Sequence, residues 1–122
     1  MTSFDHDFDT LQMRDGTQVP LVRFVDPGAH LVGRLLMNDV QGSDVRPLLQ
    51  AVEQVRSGRL PSAELAGNTT RLHIEAERSS IHDDLGDDET VSLPTVTLTR
   101  LLRDWGVHAA KVRAHNRGED PR

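Results

Sequence analysis

Apolar residues recur along this chain with two periods, and each period predicts its own kind of element. Val45, Leu48, Leu49, Val52 and Val55 stand at i, i+3, i+4, i+7 and i+10, one face of an amphipathic helix. Ser43 and Asp44 occupy the capping positions before it. Pro47 falls in the first turn, where a missing N–H costs nothing, and Gly58 supplies the stop. A second stripe of Leu98, Leu101, Leu102 and Trp105 follows Pro94 and predicts a closing helix that docks on a sheet, with Gly106 either ending it or weakening it.

Between the two stripes the period falls to two. From Thr69 to Ala76, Leu72, Ile74 and Ala76 alternate with Arg71, His73 and Glu75, the signature of a half-buried antiparallel strand. A turn centred on Glu77 and Arg78 would set Ile81 opposite Ile74, His82 opposite His73 and Asp84 opposite Arg71. The chain turns again at Gly86–Glu89, and Thr90 to Leu93 can add a short strand. Upstream, Val19 to Val25 reads as a strand that ends at the Asp26-Pro27-Gly28 turn, with Pro20 favouring its start or a sheet edge. Ala29 to Val40 fits a helical stripe through Leu31, Val32, Leu35, Leu36 and Val40, and fits a buried strand nearly as well.

This order predicts an α+β fold, a mainly antiparallel sheet with two or three helices packed on one face. Leu48, Leu49, Val52, Leu72, Ile74, Ile81, Leu101, Leu102 and Trp105 form its expected core. With 122 residues there is room for one domain, expected over 19–114. Residues 1–18, polar and rich in Asp, are expected to be a mobile segment, and 115–122, without an apolar residue, a disordered tail.

Composition narrows the chemistry. There is no cysteine, which removes disulfides, thiolate nucleophiles and Cys-based zinc sites and suits a reducing compartment, so the expected location is the cytoplasm. The first sixteen residues carry four Asp and no apolar run, unlike a secretory signal, and no stretch approaches the length of a membrane span. A net charge of −5 argues against direct binding of nucleic acid and matches a basic partner better.

Catalytic motifs are not found. There is no nucleophile elbow, no HExxH pair, and no phosphate-binding loop around Gly28 or Gly33. The chain is therefore read as a non-enzyme with no cofactor and no metal. His73 and His82, as cross-strand neighbours, are the one pair that could begin a metal site, and solvated surface histidines are the simpler account. Asp83, Asp84, Asp87, Asp88 and Glu89 lack calcium-loop spacing and form either a solvated acidic turn or a patch that binds a basic partner. Trp105, the single tryptophan, is read as a core anchor.

A larger pattern joins these segments: Gly33 to Val40, a helix ending at Val52 to Gly58, then Leu65 to Asn68, Leu72 to Ile74, Ile81 to Leu85, and Leu98 to Trp105. Over roughly residues 19–105 this order resembles small bacterial immunity proteins of contact-dependent inhibition and related polymorphic toxin systems. The resemblance implies a cytoplasmic, non-enzymatic inhibitor that binds one cognate toxin domain, often a nuclease with a basic groove, and occludes its active site or substrate groove. The five carboxylates are then the expected contact. Two other readings stand beside it: a small metal-binding or catalytic module built on the hairpin of His73 and His82, and an adaptor for another bacterial complex.

Overall fold

The computed structural model describes residues 2–40, 44–86 and 88–118. A hairpin of β1 (His6–Gln12) and β2 (Gln18–Phe24) leads through a short turn into α1 (His30–Arg34), which loosens into one π-helical turn over Leu35–Val40. Next come α2 (Arg46–Arg56), a four-stranded antiparallel meander of β3 (Ala63–Ala66), β4 (Thr70–Ile74), β5 (Arg78–Asp83) and β6 (Thr90–Pro94), and the long α3 (Thr95–Asn116). The fold is α+β with two antiparallel sheets. The three helices pack on the inner face of the larger sheet, and the hairpin closes over α1 and α3.

The core sits between these layers. Leu72, Ile81 and Val91 form one cross-strand row and Ile74, Ser79 and Leu93 the next. They meet Leu31, Leu36, Leu98, Leu102 and Trp105, all at most 1% exposed. The ambiguous Ala29–Val40 segment is helical. Leu48 and Leu49, expected in the core, are only half-buried, because α2 lies at the margin and turns Val52 and Val55 inward. Its cap also differs from expectation: Val45 holds the cap position, Asp44 accepts the Arg46 N–H at 2.9 Å, and Ser43 lies outside the described residues.

Two boundaries are corrected. Residues 2–18 are not outside the domain, since β1 pairs with β2 along its whole length and sets Phe8 against Trp105. The connection at Arg14-Asp15-Gly16 is a three-residue hairpin loop: Asp15 accepts from the Thr17 N–H and hydroxyl, and Gly16, at φ 89°, takes the left-handed position. At the other end α3 runs through Gly106 to Asn116, because Ala109 and Val112 continue its buried stripe. Asn116 then grips both backbone groups of Gln18 at 2.7 and 2.9 Å, so of the expected tail only 119–122 lies outside the described residues.

Two glycines are fixed by close approach. A β-carbon at Gly67 would stand 2.5 Å from Asp39 Oδ2, and Asp39 in turn accepts the N–H and hydroxyl groups of both Thr69 and Thr70, pinning the π-helical turn to the start of β4. At Gly106 a β-carbon would lie 2.7 Å from Val45 Cγ2, so glycine sets the spacing of α2 and α3.

Candidate functional site

The register of β4 and β5 decides the fate of the histidine pair. Leu72 pairs with Ile81, His73 with Ser80 and Arg71 with His82, a slip of two residues from the expected pairing. The turn is therefore Ala76-Glu77, closed by the Glu75 N–H to the Arg78 carbonyl at 3.1 Å. A slip of two leaves every side chain on its expected face and moves only its partner. His73 now bonds Glu75 at 3.1 Å, while His82 lies near the hydroxyls of Thr90 and Ser80 at 2.9 and 3.4 Å. Neither faces the other across the ladder. Among the described residues no cluster of three metal-ligating side chains occurs.

The five carboxylates are not one surface. Asp83 is corrected outright: as the last residue of β5 it points inward, its side chain is 1% exposed, and it accepts Arg34 Nη1 at 2.6 Å and the Leu85 N–H at 2.8 Å. The reason is parity, since Asp83 shares the buried face with Ile81 and Ser79. Asp84 faces outward and holds Arg71 at 2.8 Å; together with Glu64 it keeps that guanidinium above its ordinary pKa. Glu89 meets His30 Nε2 at 3.1 Å. Asp88 is exposed at φ 54°, a left-handed conformation that Asp tolerates better than most residues. Asp87 lies outside the described residues.

Beside Glu89 opens a groove of about 890 Å³ that runs along β6, the terminal strand of the sheet. Two backbone bonds fix the phase of that strand: the Asp83 N–H to Glu89 and the Thr95 N–H to Glu77. The alternation of an antiparallel ladder then sends the N–H and C=O groups of Thr90 and Ser92 away from β5, toward the open edge. Thr2 and Phe4 form one wall, Gly28, His30 and Leu31 another. Charge is divided along the groove, with Glu89 and Asp88 at the Thr90 end and Arg78, bonded through Nε to the Ser92 hydroxyl at 3.0 Å, at the other.

Asp26 holds the wall in place. Its carboxylate accepts the N–H groups of Ser3 and Gly28, both at 2.8 Å, and these bonds, Ser3's first, hold its pKa below the ordinary 3.8. A depressed carboxyl stabilises the fold at pH values above its ordinary one and loses that contribution as pH falls through the lowered value. The protection factor of the Ser3 amide, its exchange rate set against the intrinsic rate at the same pH, should accordingly be high at neutral pH and fall on acidification through the lowered value. Asp26→Ala should show little protection of the Ser3 amide at any pH, and protection that persists equally in that variant would refute this account.

The groove escaped sequence reasoning because one wall comes from residues assigned to a mobile segment. The signals were there: His6, Phe8 and Thr10 alternate with Asp5, Asp7 and Asp9, and Asp15-Gly16 is a hairpin dipeptide. No helix among the described residues is long and apolar enough to cross a membrane. No family model matches the chain, and no curated protein or solved structure matches it either.

Proposed function

We propose that this chain is a binding protein that takes an extended segment of its partner along the free edge of β6, adding a strand to the sheet. The open β6 edge beside a groove of about 890 Å³ carries the reading. The groove orders the partner's charges: a cation toward Asp88 and Glu89, a carboxylate or carbonyl toward Arg78. The resemblance to immunity proteins supplies the partner class, a toxin domain with a basic substrate groove. Such a domain presents the cations that Asp88 and Glu89 attract, and pairing at β6 would hold this chain across its surface.

The test takes as partner the product of the neighbouring gene, which on this reading carries the toxin domain. Ser92→Pro removes an outward N–H and leaves the ladder to β5 intact, so folding should survive, as proline is tolerated at sheet edges. One lost backbone bond at about 0.5–1.5 kcal/mol predicts binding weaker by roughly two- to twelvefold. Asp88→Asn with Glu89→Gln should slow association and flatten its salt dependence. Full binding by folded Ser92→Pro would reject the β6 edge as the docking site. Failure of wild type to bind or neutralise the toxin would reject the immunity reading itself.

A further inference from the structure

The chain is acidic overall, yet α3 carries four cations, Arg100, Arg103, Lys111 and Arg113, against one carboxylate, Asp104. Arg100, Arg103 and Lys111 are exposed, and none has an ion-pair partner among the described residues. Helical spacing puts them on one side, with Val107 between them. Val107 is 58% exposed. It borders a groove of about 470 Å³ between α2 and α3 whose floor is Val45, Leu49, Gly106 and Ala110.

From these observations we infer that the α2–α3 groove is a second binding site, whose occupant is an amphipathic helix with acidic flanks on a protein partner. The groove shares no lining residue with the one along β6, so the inference is independent of the proposed function. Charge and shape choose the occupant together. From Arg100 to Lys111 the helix rises about 16 Å, three turns, which an antiparallel or parallel helix of about eleven residues can follow. Apolar side chains at i, i+4 and i+7 of that helix would reach Leu49, Val107 and Ala110, and carboxylates on its flank would reach Arg103 and Lys111.

Asp44, which also lines the groove, does not oppose such a ligand, because its charge is taken up by Arg46 at 2.6 Å; the bond to Arg46 holds its pKa below the ordinary range. Gly106 favours the site as well. The Val45 methyl takes the space that a β-carbon there would need, so the floor at its centre is apolar. A phosphate backbone fits less well, since it gains nothing from an apolar floor and calls for more cations than one helix face presents.

The probe is a fluorescein-labelled synthetic helix of about eighteen residues, five turns, with leucines along one stripe and glutamates on both flanks. Fluorescence anisotropy would compare it with a scrambled peptide of equal composition and with a short DNA duplex. Saturable binding of the amphipathic peptide is expected, weakened at least tenfold by Val107→Glu and likewise by Arg103→Glu with Lys111→Glu. These exposed substitutions should leave the unfolding midpoint unchanged. Absence of saturable binding, equal binding of the scrambled peptide, tighter binding of the duplex, or indifference to Val107→Glu in a folded variant would each overturn the site.

Discussion

Trp105→Ala should lower the unfolding free energy by about 3–5 kcal/mol, a large part of the roughly 5–15 kcal/mol that holds a domain of this kind together. The indole is fully buried. It stands where three layers meet, α3, the inner face of the large sheet and the hairpin, with ring centroids 6.0 Å from Phe8 and 5.9 Å from His108. Phe8 and His108 stack at 5.0 Å, and His108 Nε2 reaches the Asp9 carbonyl at 2.7 Å, so the tryptophan is the floor on which β1 is seated. Its removal leaves a cavity that the stiff neighbours Leu98 and Leu102 cannot fill and takes away the seat of the hairpin. Urea titration followed by far-UV circular dichroism measures the loss, and amide exchange should quicken across β1 ahead of β4 and β5. A loss under about 1 kcal/mol would mean that the hairpin and sheet do not share this core.

Legibility followed the strength of the periodic signal. The stripe Leu98, Leu101, Leu102, Trp105 sufficed to place α3, because four apolar side chains on one face have no competing arrangement. The alternation of Arg71 to Ile74 placed β4 and its buried face. Register was not legible, since a slip of two preserves both faces and costs no burial, so the apolar pattern is blind to it. β1 went unread for a different reason. Its outward positions include Asp7 and Asp9, a residue type depleted from strands, and Phe8 is the one large apolar residue on its inward face. Arg23 compensates Asp9 from the neighbouring strand, a contact no sequence pattern announces.

The candidate site was half legible for the same reason. A run of carboxylates in sequence reads as one patch, but a strand sends neighbours to opposite faces, so Asp83 went into the core and Asp84 to solvent. Arg34, forty-nine residues away, was never a candidate, because nothing local marks a cation as destined for a buried carboxylate. The groove along β6 needed three distant segments, residues 2–4, the turn before α1 and β6 itself, which no local motif brings together.

The pair of Arg34 and Asp83 should behave as a buried ion pair that must stay whole. Arg34→Met is expected to cost about 3 kcal/mol, the lower end for an uncompensated buried charge, because the Leu85 N–H still serves Asp83 and the Arg34 side chain is 22% exposed. Adding Asp83→Asn to Arg34→Met should recover part of that loss, since a neutral amide needs no counter-charge. The double-mutant cycle should therefore show a coupling of roughly 1–3 kcal/mol. The pair also anchors the end of β5, from which Asp84 leads out and to which the Glu89 carbonyl is bonded through the Asp83 N–H at 2.8 Å. Freed of Arg34, Asp83 would draw toward water and carry the start of β6 with it. Binding of the proposed partner at the β6 edge should fall with Arg34→Met even under conditions where the variant is fully folded, and should return in part in the double variant. Additive losses in stability, with no recovery by Asp83→Asn, would show that Arg34 serves only by packing its stem and that the carboxylate is satisfied without it.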